Sequence, residues 1–192
     1  VPGREDAVRA LVMDVVRPLS DSVDVDIMGN VICTRKGAGQ RTVMVAAHMD
    51  EIGFIVRFID KDGFLRLQQL GGFDPRQLFA QRVKVFPREG GPLPGVLTYT
   101  TKPAHLLTPE ESKAPPKLDQ FFVDVGLPAK EVASRISIGD MVTMDRACVE
   151  CGDCLVGKCL DNRVGVFVLI ETLRRLKEHQ VDVFAVFTVQ EE

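Results

Sequence analysis

The sequence predicts an α/β protein with a small β-rich insertion, and three observations carry that reading. Thr42–Ala47 and Val183–Val189 are continuous apolar runs without alternation, the pattern of strands buried on both faces of a helix-covered sheet. A helical repeat of apolar residues precedes the second run, giving the strand–helix–strand order of a layered α/β core. From about Arg57 to Asp145 the text turns to Gly, Pro and short alternating stretches, which read as an antiparallel β domain set into the α/β one. The expected segments are therefore 1–56, 57–145 and 146–192.

Val8, Leu11, Val12, Val15 and Leu19 fall at helical spacing and Pro18 marks a stop, so about 4–17 is expected to be an amphipathic helix. Val23 to Asp26 and Val31 to Thr34 read as short strands around a Gly29-Asn30 turn. In the insertion, Phe64-Leu-Arg-Leu67, Arg82-Val-Lys-Val-Phe86 and Gly95-Val-Leu-Thr-Tyr-Thr100 alternate like strands. Gly71-Gly72, Gly90-Gly91-Pro92 and Pro115-Pro116 punctuate them as turns. Val164, Phe167, Val168, Leu173 and Leu176 give a helix over about 162–178. Val183–Val189 then forms a strand expected to be central and covered on both faces.

With 24 Lys+Arg against 27 Asp+Glu, the net charge is −3, which argues against the basic surplus of a nucleic-acid footprint. A single Tyr and no Trp leave little for stacking bases or sugars. No apolar run approaches the about 20 residues of a membrane span, and no signal peptide opens the sequence. The five cysteines are odd in number and crowded late, which suits a reducing compartment. The expectation is a cytoplasmic globular protein with neither nucleic acid nor membrane as partner.

Three short stretches can carry chemistry. His48 and Asp50 follow directly after the first apolar run, where ligand sites of open α/β sheets collect. A spacing of two puts both side chains on one face of an extended chain, and a carboxylate can orient a metal-binding imidazole. A loop His beside a solvated Asp fits the same residues. Asp161 opens the second helix and is equally a plain N-cap. Glu191 and Glu192 follow the second apolar run; neighbours on an extended chain point apart, so one could bind a metal while the other acts as general base. A solvated tail is the ordinary alternative. Taken together, however, the three stretches can meet at one sheet edge, and oxygen and nitrogen ligands with a base suit two-metal hydrolysis.

At this point the chain resembles a known family. Ala47-His-Met-Asp-Glu-Ile-Gly-Phe54, Gly71-Gly-Phe-Asp-Pro-Arg76, Lys102-Pro-Ala-His-Leu-Leu-Thr-Pro-Glu110, Gly157-Lys-Cys-Leu-Asp-Asn-Arg163 and Gln190-Glu-Glu192 are similar, in order, to motifs of the tetrahedral (TET) aminopeptidases. That family also carries the labels glutamyl aminopeptidase, deblocking aminopeptidase and endoglucanase. The resemblance implies a phosphorylase/hydrolase-like α/β catalytic domain with an inserted β-rich dimerisation domain. It also implies a metal-dependent aminopeptidase acting on peptides, with two divalent ions, Zn²⁺ or Co²⁺, in hollow oligomers that are often dodecamers. By the same resemblance His48 is a ligand of one metal, Asp50 the catalytic residue that orients it, Asp161 the bridging carboxylate, Glu191 the general base and Glu192 a further ligand. The family also uses another carboxylate and another His later in the chain, so a catalytic domain ending at Glu192 is expected to be incomplete and inactive alone.

Cys148-x2-Cys151-x2-Cys154-x4-Cys159 offers a rival from another class, a cysteine-ligated metal or redox module. A hairpin with a two-residue Gly152-Asp153 turn and Cys151 opposite Cys154 explains the spacing better. A non-catalytic assembly fragment, dimerising through about 57–145, is the other rival. His105 reads as a packing or interface residue of the insertion. His179 reads as a cation at the end of the second helix, complementing its dipole.

Overall fold

The structure, a computed structural model, describes residues 1–102 and 104–192; Pro103, within the Lys102–Glu110 motif, lies outside the described residues. In chain order the elements are α1 (Asp6–Val16), β1 (Ser22–Val25), β2 (Val31–Arg35), β3 (Arg41–His48), β4 (Gly53–Ile59), β5 (Leu65–Leu70), β6 (Arg82–Phe86), β7 (Leu93–Tyr99), α2 (Pro109–Lys113), β8 (Phe121–Asp124), α3 (Ala129–Arg135), β9 (Met141–Met144), β10 (Val149–Cys151), β11 (Cys154–Val156), α4 (Leu160–Arg175) and β12 (Val181–Thr188). The fold is mixed α/β, in two compact units: Val1–Glu51 with Gly157–Glu192, and Ile52–Val156.

The first unit holds a four-stranded sheet in the order β1-β2-β12-β3. β12 is central as expected, antiparallel to β2 and parallel to β3, but it is buried on one face, its other residues being only partly covered. Its alternate residues Val183, Ala185 and Phe187 are buried, together with Val12 and Val16 of α1 and Val166, Leu169 and Leu173 of α4. The two helices thus use their apolar stripes to cover one face of the sheet. Gly165 permits the close approach: a Cβ there would overlap the Asn162 side chain and sit 3.0 Å from Ala47 Cβ.

The apolar run of β3 is not buried on both faces. β3 is an edge strand with one neighbour, and Val43, Met44 and Val45 are 44%, 70% and 42% exposed. The continuous apolar text was read as two-sided burial, but the helices of this unit cover one face and reach only the end of the strand, where Ala47 and His48 are buried. On α1, Leu11 also faces solvent despite its helical spacing.

The second unit is a closed antiparallel barrel, β4-β5-β8-β7-β6-β9. Alternation is direct in β6, where Val83 and Val85 are buried between exposed Arg82, Lys84 and Phe86. Phe54, Leu65, Leu97, Phe121 and Val123 fill the interior, joined by Val132 of α3. Beyond the barrel, β10 and β11 form the expected hairpin with Cys151 opposite Cys154. Gly152 makes the turn at φ +59°, a left-handed conformation open to glycine at little cost.

Two histidine readings change. His105 is exposed in the short 3-10 turn Ala104–Leu106, which removes the packing half of its reading and leaves the interface half. His179 lies past the end of α4, with Nδ1 2.8 Å from the Lys177 carbonyl. The cations of the last helical turn are instead Arg174 and Arg175, both paired with Glu171.

Candidate active site

Strand pairing places the candidate residues before any side chain is considered. β3 and β12 run parallel with Thr188 opposite His48, so His48–Asp50 and Val189–Glu192 leave the sheet at the same carboxyl edge. Ligand sites gather there because loops from adjacent parallel strands emerge side by side. Met49 N–H still bonds the Thr188 carbonyl at 2.8 Å, extending the pairing by one step.

His48 is the hub. Its side chain is 8% exposed, with Nε2 3.1 Å from Asp161 Oδ1 and 3.7 Å from Glu191 Oε2. Asp50 is fully buried and lies 3.4 Å from His48 Nδ1. Nδ1 nevertheless forms no hydrogen bond and is a buried polar atom left without a partner, which native structures rarely leave without a reason such as catalysis or a bound ion. The Asp50 carboxylate accepts instead from two consecutive backbone amides, Glu191 N–H at 3.3 Å and Glu192 N–H at 3.0 Å. Asp50 therefore faces the imidazole and also grips the backbone that carries both glutamates.

Asp161 is not the helix cap that its position suggested. Asp161 (ψ 113°) and Asn162 (φ −116°, ψ 32°) are non-helical, and Asn162 Oδ1 takes the capping bond from Gly165 N–H at 3.2 Å. That leaves the Asp161 carboxylate, 88% exposed, free to turn toward His48.

Two clamps that the sequence reading missed hold Asp161 in register with Asp50. Lys158 Nζ reaches both Glu51 oxygens at 3.0 and 2.8 Å, and the Cys159 thiol donates to Glu51 Oε2 at 2.8 Å. On the other side, Arg163 Nε donates to the Met49 carbonyl at 3.0 Å. Burial pushes the Glu51 carboxyl up, but the Cys159 and Lys158 hydrogen bonds outweigh it and hold the group below its ordinary value. The same burial, with Glu51 alongside, pushes the Cys159 thiol up to about 11. The available signal was the opposite charges of Glu51 and Lys158, one beside Asp50 and the other three residues before Asp161.

The cluster is rich in uncompensated negative charge. Burial, then Glu191, Asp50 and Asp161 nearby, raise the Glu192 carboxyl against the opposing pull of His48. Among the described residues, Asp50, Asp161 and Glu191 have His48 as their sole ion-pairing side chain. A cation fits this set. His48, Glu191 and Glu192 each offer a ligand atom within 4.8 Å of the others, and among the described residues they are the one such group of three. Two ligand atoms on one zinc-sized ion stand roughly 3.3 Å apart, close to the His48 Nε2–Asp161 Oδ1 spacing of 3.1 Å. The cysteines form no comparable group among the described residues.

An α/β unit interrupted by a β-barrel unit is the layout shared with solved aminopeptidases. The chain belongs to the M42 glutamyl aminopeptidase family, whose sequence profile matches residues 29–192. A putative aminopeptidase of Acetivibrio thermocellus is 35% identical over 193 residues, covering all of this chain and 55% of that protein. An aminopeptidase from the archaeon Desulfurococcus kamchatkensis superposes with a TM-score of 0.91 at 40% identity, over 99% of this chain and 52% of that one. A TET peptidase of Pyrococcus horikoshii, which can assemble into a tetrahedron or a large octahedral shell, gives a TM-score of 0.84 at 31% identity, over 100% of this chain and 57% of that one. The chain thus spans about half the length of the relatives it matches. No helix among the described residues is long and apolar enough to cross a membrane.

Proposed function

We propose that the protein containing this chain is a metal-dependent aminopeptidase that removes residues from peptide N-termini, and that the cluster around His48 is this chain's part of its active site. The carrying observation is the meeting at one imidazole of carboxylates from three stretches, Asp50, Asp161 and Glu191–Glu192, with no Lys or Arg among the described residues neutralising the last three. His48, Asp161 and Glu192 would hold two divalent ions, Zn²⁺ or Co²⁺, with Asp161 shared between them. When bound, such ions polarise the scissile carbonyl and make water a better nucleophile. Choice between the two metals rests on supply as well as affinity.

The protein groups divide the remaining work. Asp50 lies 3.4 Å from His48 Nδ1, so Nε2 is the nitrogen turned to the cluster. Glu191 is 60% exposed, with its Oε2 3.7 Å from His48 Nε2. It takes the proton of the attacking water and returns it to the leaving amine. Self-association through the barrel unit, into a hollow assembly such as relatives form, is part of the same reading.

The test is Glu191→Gln in the full-length protein. It keeps the shape and removes the base, so turnover on aminoacyl-p-nitroanilides should fall by about 10²–10⁴-fold while bound metal is unchanged. Full activity with unchanged metal content would overturn the assignment of the base.

A further inference from the structure

Past the end of β12, four consecutive backbone N–H groups bond side-chain oxygens rather than the sheet. Val189 N–H donates to Asn30 Oδ1 at 2.9 Å, Gln190 N–H to Glu5 Oε1 at 3.1 Å, and Glu191 and Glu192 N–H to the two Asp50 oxygens. Buried N–H groups need such partners, and here they come from three separate parts of the unit. Asn30 is itself oriented, because its Nδ2 donates to Asp26 Oδ2 at 2.7 Å and so turns Oδ1 toward Val189.

Glu5 stands out among these acceptors. It is a carboxylate only 4% exposed, with no cationic side chain paired to it among the described residues. It occupies the N-cap position of α1, yet its side chain makes no capping bond to its own helix. Instead Oε1 accepts from Gly3 N–H at 2.9 Å and from Gln190 N–H. Gln190 is left-handed at φ +56°, a conformation non-glycine residues hold only when their surroundings enforce it. That bend turns the next two amides together onto Asp50.

We propose that Glu5 is a positioning residue of the active site: its buried oxygen fixes the left-handed bend at Gln190 and thereby places the Glu191 and Glu192 side chains beside His48. The proposal rests on the reading of Glu191 as base and Glu192 as ligand, and it depends on the reach of one oxygen, not on charge. Glu5→Gln keeps an accepting oxygen at the same distance. Glu5→Asp keeps the charge and a preferred helix-cap residue, but withdraws the oxygen by one methylene.

The experiment uses the full-length protein with Glu5→Gln, Glu5→Asp and, as reference, Glu191→Gln. Zn²⁺ affinity is measured by competition with a chelating dye, and kcat and KM at saturating metal. Glu5→Asp should weaken metal affinity and lower kcat by roughly 10–100-fold, the usual cost of disturbing a residue behind a metal ligand, with KM and melting temperature held. Glu5→Gln should behave as wild type. Wild-type affinity and kcat in Glu5→Asp would overturn the proposal, as would equal losses in Glu5→Asp and Glu5→Gln. If Glu191→Gln stays active, the base assignment fails, while the metal affinity of Glu5→Asp still decides the positioning role.

Discussion

The two units solve opposite problems with similar strands. The barrel β4-β5-β8-β7-β6-β9 closes on itself, so each of its strands has two neighbours and one face of each fills the interior, with Phe58, Phe86 and Val96 left on the outer face. The sheet of the other unit stays open, ends on β3 with apolar side chains in solvent, and gathers a buried Asp50 and more exposed carboxylates around His48 at the carboxyl edge of β3 and β12. Closure removes sheet edges and maximises packing, whereas an open parallel edge leaves amides and loops available for chemistry. In the barrel, packing dominates the energetics; at the His48 edge, electrostatics does, and the two should respond differently to substitution.

The largest difference is expected from Asp161→Ala in the full-length protein. If Asp161 is shared between two ions as proposed, its removal should strip both together, since like-charged ions need that negative charge between them. Folding stability should hardly move, because the side chain is 88% exposed. Metal analysis beside a melting curve checks this; loss of one ion with the other bound normally would confine Asp161 to a single ion.

A cut in the barrel interior should do the reverse. Phe121 is 1% exposed, and Phe121→Ala should destabilise the 1–192 chain by about 3–5 kcal/mol through a cavity. Met44→Lys on the edge strand, where the side chain is 70% exposed, should stay within about 0.5 kcal/mol. Chemical denaturation of both variants sharpens the comparison, and similar losses from the two would break it.

The smallest effect concerns thiols. Cys148, Cys151 and Cys154 are exposed and should alkylate first at neutral pH. Burial raises both Cys33 and Cys159 from 9.0 to about 11, which leaves about a hundredth of the ordinary thiolate, the reactive form. Mass spectrometry of a timed alkylation gives the order. Early labelling of Cys159 would show that its bond to Glu51 is not maintained.

The sequence by itself determined a good deal. The period-two pattern of Arg82–Phe86 and the Gly152-Asp153 turn were legible, because each depends on neighbours along the chain; the central position of Val183–Val189 was legible from its apolar run. The motifs around His48, Asp161 and Glu191–Glu192 marked the aminopeptidase family by their order. Other features were decided only in three dimensions. Whether the apolar run of β3 is covered depends on its place at the sheet edge, which its own residues do not encode. Asp161 could be told from a helix cap only once Asn162 was seen to take that bond. The Glu51–Lys158–Cys159 clamp and the Glu5–Gln190 bond join residues 107, 108 and 185 positions apart. Hydrogen bonds across such separations leave no period or spacing in the sequence, because the folded sheet, not the chain, brings their partners together.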